Sequence, residues 1–168
     1  MNENNWKAKW SKEQIKALLL EQFQSFLECP TGIERERLAD LKAYLSSPQV
    51  VIVTGLRRVG KSTLLAQFAH IVGEDIFYYL NFDDERFSGF ASEDFNELFQ
   101  VMIEIFGERK LMFLDEVQNV PGWERFVRRL ADTGMKFYVT GSNASLLSQE
   151  LGTRLTGRYI PVELYPFS

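Results

Sequence analysis

Among soft metal-ligating side chains this 168-residue sequence has very little, one cysteine (Cys29) and one histidine (His70). A lone cysteine excludes an intramolecular disulfide, and the pair cannot build a zinc site, so any metal is expected to be a hard cation held by oxygen. Long apolar runs are missing too, since none approaches the ~20 residues needed to cross a bilayer, and no membrane role is expected. The opening Met-Asn-Glu-Asn-Asn-Trp lacks the charged-then-apolar order of a secretory leader, which makes the cytoplasm the expected compartment. There is no basic excess either. A formal net charge of −4 opposes a general duplex-binding surface and leaves DNA binding to a local basic patch or another domain. What is present is a core: 14 Phe, six Tyr and three Trp within 45% hydrophobic content exclude a disordered chain and suit one domain of ordinary size.

Against that background one segment carries chemistry. Gly55-Leu-Arg-Arg-Val-Gly-Lys-Ser-Thr63 has the GxxxxGK(S/T) spacing of a phosphate loop, and the β-branched run Val50 to Thr54 leads into it. Gly55 and Gly60 let the backbone curl, so that amides through Val59 and the positive start of a helix at Lys61 form an anion nest. Lys61 can reach the β- and γ-phosphates, Ser62 can ligate Mg²⁺, and Thr63 completes the motif. Arg57 and Arg58 lie within the loop and either lean toward phosphate or stay solvated. A glycine turn before an ordinary helix is the bland alternative, which the flanking strand and helix disfavour.

A second motif reads Leu111-Met-Phe-Leu-Asp-Glu116, two carboxylates where a buried strand emerges. Asp115 is expected to orient Mg²⁺ or its water, and Glu116 to take a proton from the attacking water. A guanine-reading Asn/Thr-Lys-x-Asp is absent after the next apolar strand, where Thr140-Gly-Ser-Asn-Ala144 stands instead, so the base is expected to be adenine. Thr140, Ser142 and Asn143 there are either a γ-phosphate sensor or plain turn residues.

Read for periodicity, the chain begins with a helix over 11–27, apolar at Ile15, Leu18, Leu19, Phe23, Phe26 and Leu27. Thr31 and Glu34 form a capping-box signature for a second helix toward Leu45. Strands are expected at 50–54, 76–82, 111–114, 136–140 and 159–164. Helices are expected at 60–72, 92–106 and from Pro121 to Thr133 with Gly134 as cap, with a short one at 144–151. Alternation of this kind implies a parallel sheet covered on both faces, with ligands beyond the carboxyl ends of its strands.

Taken in order, Val53 to Leu65, Tyr79-Leu-Asn-Phe-Asp-Asp84, Phe113-Leu-Asp-Glu-Val-Gln-Asn-Val-Pro-Gly-Trp123, Val139-Thr-Gly-Ser142 and Arg154-Leu-Thr-Gly-Arg-Tyr159 resemble the AAA family-14 ATPase domain, of the archaeal-ATPase and Orc/Cdc6-like branch of the AAA+ proteins. The likeness runs from about Gly32 to Ser168. It implies an α/β, three-layer P-loop NTPase fold of the ASCE type, a parallel five-stranded sheet of order 5-1-4-3-2, with residues 1–30 as an N-terminal helical extension and 31–168 as the core. It implies ATP and Mg²⁺ as ligands, hydrolysis as the activity, and either a homo-oligomer or a protein partner acting in trans. The nearest alternative is a nucleotide-gated switch module that turns over negligibly and recruits a protein or DNA. Family members continue into a helical lid and a further domain, so a core without its lid and slow turnover are expected. Arg158 matches a family arginine expected to stabilise transition-state charge, within its own subunit or across an interface, with Arg154 as runner-up and an ordinary solvated strand end as the alternative. Gly32-Ile-Glu-Arg-Glu36 resembles a box that lies beside adenine in related ATPases.

Overall fold

The computed structural model describes residues 6–56, 60–142, 155 and 157–166. Arg57, Arg58, Val59, Asn143, Arg154 and the helix expected at 144–151 lie outside the described residues. Five strands, β1 (Val50–Thr54), β2 (Phe77–Asn81), β3 (Leu111–Asp115), β4 (Lys136–Gly141) and β5 (Tyr159–Glu163), form one sheet of order β2-β3-β4-β1-β5, with every neighbouring pair parallel. This is the 5-1-4-3-2 order of the sequence-based expectation read from the other edge. Parallel strands covered on both faces need apolar side chains at every position, and β1, β3 and β4 are buried throughout.

Alternate residues of each strand feed two cores. Ile52, Leu80, Leu114 and Val139 face one, and Val51, Val53, Tyr79, Phe113 and Tyr138 face the other. Helices α5 (Phe95–Phe106) and α6 (Trp123–Ala131) fill the first through Leu98, Met102, Phe126 and Val127, while α3 (Leu38–Ala43) and α4 (Lys61–Val72) fill the second through Leu41, Leu64 and Phe68. Two N-terminal helices precede them, the short α1 (Trp6–Lys9) and the sixteen-residue α2 (Lys12–Leu27). Helix α2 starts at a capping box in which Gln14 N–H donates to Ser11 Oγ (3.1 Å) and Ser11 N–H to Gln14 Oε1 (2.8 Å).

Helix α2 contributes to both cores, Leu18 and Leu19 to one and Phe26 to the other, so it runs along the outer edge of β2. Gln22 acts there as a substitute strand residue. Its Nε2 donates to Asn81 O (3.0 Å) while its Oε1 accepts from Asn81 N–H (3.0 Å), which satisfies backbone groups that an edge strand otherwise leaves open. Gln22 Nε2 also reaches Asp84 Oδ2 (3.1 Å), and Arg86 bridges Asp84 and Glu21, tying the loop after β2 to the same helix. Trp6 adds an anchor. Its Nε1 donates to Arg86 O (2.8 Å) and its ring packs on Phe87 and Phe90.

Three expected boundaries move. No helix forms from the Thr31–Glu34 signature, and α3 begins only at Leu38. The reason is non-local: Gln67 of α4 donates to Thr31 O and Ile33 O (both 2.7 Å) and accepts from Arg35 N–H (3.2 Å), committing the backbone groups a first helical turn would use. Pro121 does not open α6, because Gly122 adopts a left-handed φ of 80° and the helix starts after it. The helix expected from Ser92 begins as a 3₁₀ turn, Ser92–Asp94, before α5. Gly134 caps α6 as expected, with Met135 N–H bonded to Leu130 O and Gly134 N–H to Ala131 O. Among the described residues no helix is long and apolar enough to cross a membrane.

Candidate functional site at the carboxyl end of the sheet

The parallel register aligns the strand ends, pairing Asn81 with Asp115, Val53 with Thr140 and Thr54 with Gly141. Residues just past β1, β3 and β4 therefore meet at one edge of the sheet. After β1 the chain passes through Gly55 and reaches Gly60, whose φ of +91° lies in the region where a side chain is strained. A Cβ on Gly60 would also sit 2.2 Å from Arg35 Nη2, so the guanidinium of the 31–36 segment lies against the phosphate loop. Helix α4 begins with Lys61, whose Nζ donates to Gly55 O (2.9 Å) and Leu56 O (3.0 Å) and stands 3.9 Å from Glu116 Oε1. This buried ammonium, at the positive end of a twelve-residue helix, creates a local field suited to an anion.

Asp115 is the hub. Its Oδ2 accepts from Ser62 Oγ (2.8 Å) and Tyr79 OH (2.7 Å), and its Oδ1 accepts from Thr140 Oγ1 (2.5 Å). Burial pushes its carboxyl pKa up, the three hydroxyl donors oppose that, and the neighbouring Glu116 charge adds to the rise. Tyr79 is held well above the ordinary phenol range by burial first and then by Asp115, so it remains a proton donor to that carboxylate. The Ser62 hydroxyl and Asp115 carboxylate are adjacent oxygen ligands of the kind a hard cation takes alongside phosphate and water. Among the described residues no group of three or more His, Cys, Asp or Glu could hold a metal by itself.

Glu116 has a φ of 53°, the sole positive value for a non-glycine among the described residues, at a cost of about 1 kcal/mol. Three bonds hold it there. Its N–H donates to Thr140 Oγ1 (3.0 Å), and its Oε2 accepts from Gln118 Nε2 (2.6 Å) and Ser142 Oγ (3.1 Å). The left-handed turn aims the carboxylate back toward Lys61 instead of along the strand.

The structure thus brings Gly55, Gly60, Lys61, Ser62, Asp115, Glu116, Thr140 and Ser142 to one place. Thr63 lines a separate groove with Pro30, Ile33, Arg35 and Pro166. Arg158 is not brought in. It immediately precedes β5, its carbonyl oxygen accepts from Val50 N–H (3.0 Å) at the amino-terminal edge of the sheet, and its guanidinium pairs with Asp132. A full strand length, about 13 Å at ~3.3 Å per residue, separates that edge from the phosphate loop of the same chain. Sequence reasoning gives Tyr79 and Gln118 no role beyond the motifs that contain them, and places Arg35 only within the box that resembles one beside adenine. Tyr79 sits in a strand whose apolar residues all read as core, and only the three-dimensional meeting with Asp115 marks it. A cleft of about 860 Å³ along α6 with Arg125, Arg128 and Arg129 lacks the hydroxyl–carboxylate set; that set borders a smaller cavity of about 270 Å³.

With this geometry in view, comparison with known proteins gives a consistent result. A family profile described as an AAA domain, AAA_14, matches residues 47–168. An uncharacterized protein of Methanocaldococcus jannaschii is 38% identical over 129 residues, covering 77% of this chain and 29% of that protein. An uncharacterized protein of Haemophilus influenzae is 36% identical over 145 residues, covering 81% and 36%. The chain therefore spans about a third of the length of the curated relatives it matches. Among solved structures, Orc1 of Aeropyrum pernix in complex with DNA superposes with a TM-score of 0.54 at 13% identity, covering 83% of this chain and 47% of that one. Domain III of the Thermotoga maritima replication initiation protein DnaA gives 0.51 at 15% identity, covering 77% and 61%. At such identities the two structures share the fold alone. The family match across most of the chain and the P-loop sheet order together mean that this chain belongs to the AAA_14 family of AAA domains, a nucleotide-binding class of AAA+ fold.

Proposed function

We propose that this chain binds ATP together with Mg²⁺ and hydrolyses it by in-line attack of water. The observation that carries the reading is the hydroxyl–carboxylate contact of Ser62 and Asp115 at 2.8 Å, beside a Glu116 carboxylate turned to within 3.9 Å of Lys61. Lys61 and the amides of the loop that runs from Gly55 through Arg57, Arg58 and Val59 to Gly60 would hold the phosphates. Ser62 and Asp115 would hold the cation, which would supply neutralisation of phosphate charge. Glu116, ordered by Gln118 and Ser142, accepts the proton of the attacking water, and the one hydroxyl of Thr140 ties the Asp115 carboxylate to the Glu116 backbone N–H. Adenine is favoured over guanine because Thr140-Gly141-Ser142-Asn143 offers no lysine–aspartate pair to read a guanine edge. The groove formed by Pro30, Ile33, Arg35 and Thr63 would take the base. Arg158, at the other edge of the sheet, would serve only a neighbouring copy.

A second reading, a nucleotide-gated switch with negligible turnover, is favoured by one feature: the acidic loop of Asp83 to Arg86 starts beside Asn81, which pairs in register with Asp115. Glu116→Gln separates the two. Hydrolysis predicts phosphate release falling by about 10²- to 10⁴-fold with ATP binding kept within a few-fold, the range expected for loss of a general base. Equal phosphate release by the variant and the unaltered chain would remove Glu116 from the mechanism, and no release from either at any protein concentration would leave the switch.

A further inference from the structure

Tyr79 does not belong to the phosphate loop or to the carboxylate pair, and α2 lies outside the residues matched by the family profile. The two meet at Asp115. The Tyr79 ring is stacked on Phe26 of α2 with centroids 3.9 Å apart and planes within 7°, and both residues are buried. From that stack the phenol donates to Asp115 Oδ2 at 2.7 Å, on the oxygen that also receives Ser62 Oγ. The cavity bordering this oxygen has Phe26, Ser62, Tyr79 and Asp115 in its wall, so α2 forms part of the metal-side surface.

The terminal torsion of an aspartate side chain is soft and broad, so the direction in which its oxygens point is set by their partners. At Asp115 the Oδ1 side is fixed by Thr140 from β4, and the Oδ2 side would be free to swing with Ser62 if Tyr79 did not hold it. Ser62 is itself a proposed ligand and cannot act as an independent reference. Tyr79 can, because its position is fixed by β2 on one side and by the Phe26 ring on the other.

We infer that Tyr79 is a positioning residue for Asp115 and that the N-terminal helix α2 sets it through the Phe26 stack, which makes α2 a working part of the metal site. The inference rests on the Mg²⁺–ATP reading above. Groups that orient a metal-ligating carboxylate are worth about tenfold or more in metal affinity. Tyr79→Phe keeps the ring and its stack and removes only the hydroxyl, whereas Phe26→Leu keeps the hydroxyl and removes the stack.

ATP binding to the full chain, followed by calorimetry in EDTA and across a Mg²⁺ series, reads the effect directly. In EDTA the Tyr79→Phe chain should bind ATP as the unaltered chain does, while the Mg²⁺ concentration giving half the gain in ATP affinity rises about tenfold. Phe26→Leu should raise the same midpoint about threefold, in keeping with the energy of an aromatic stack, and it carries the test should the Tyr79 variant fail to fold. An unchanged Mg²⁺ midpoint in folded Tyr79→Phe, even with a lowered Tm, would reduce the phenol to a structural role and overturn the inference alone. An unaltered chain whose ATP binding ignores Mg²⁺ would overturn the functional reading and this inference with it.

Discussion

Replacing Thr140 by valine keeps the shape of a side chain with no measurable solvent exposure and removes one oxygen that serves two partners. The Thr140 hydroxyl donates to Asp115 Oδ1 (2.5 Å) and accepts from Glu116 N–H (3.0 Å), both inside the protein. Valine leaves a buried carboxylate oxygen and a buried amide each short of a partner, at about 1–3 kcal/mol apiece, so a loss near 3 kcal/mol is expected. For a domain of this size each kcal/mol moves Tm by roughly 2–4 °C, which places the Thr140→Val chain about 6–12 °C below the unaltered one. Thr140→Ser is the control. It keeps the hydroxyl and loses a methyl, a change of about 1 kcal/mol. Thermal and urea denaturation of both variants, with an unchanged urea m-value confirming a common unfolded state, measures the difference. A valine variant that melts within about 2 °C of the unaltered chain, or no lower than the serine variant, would refute the view that this hydroxyl joins the two carboxylate residues.

Further expectations concern the α2 edge. Arg86 hydrogen bonds hold the Asp84 carboxyl down at about 2, against 3.8 for the free group. Its folded value lies below its unfolded one, so the stability it contributes is present above pH 3.8 and is lost as pH falls through about 2. Solvent access at the Glu21 end of the network reduces that contribution to about 1 kcal/mol. The urea midpoint of the unaltered chain should therefore fall more between pH 5 and pH 2.5 than that of Asp84→Asn, and parallel declines would contradict the pairing. Gln22→Ala removes two bonds to Asn81 and one to Asp84, a loss of about 2 kcal/mol. It should also speed hydrogen exchange at the Asn81 amide and raise light scattering with concentration as the β2 edge opens. Unchanged exchange at Asn81 would mean that the edge is covered by α2 packing alone.

The parts legible in the sequence are those encoded locally. A glycine spacing, the β-branched run before it and the strand ending in Asp115 and Glu116 each lie within a dozen residues, and the helix pattern of α2 and the Gly134 cap are equally local. The sheet order came with the family resemblance. What was not legible depends on meetings between distant segments. The 31–36 stretch has good capping chemistry but surrenders its backbone groups to Gln67, and Tyr79 is set apart from the core residues around it by the hydroxyl it donates to the Asp115 carboxylate. Helix α2 reads simply as amphipathic, and nothing in its spacing tells that it serves both cores from the edge of β2. Arg158 stands before its strand, and in a parallel sheet that is the edge away from the phosphate loop.

The most direct test of the central claim is calorimetric titration of ATP with Mg²⁺ into the unaltered chain and into Lys61→Ala. The account predicts saturable binding near one ATP per chain that Lys61→Ala weakens by two orders of magnitude or more, about 3 kcal/mol for the loss of a buried charge-assisted phosphate contact. An unaltered chain that binds no ATP, or a Lys61→Ala chain that binds it equally well, would contradict the account.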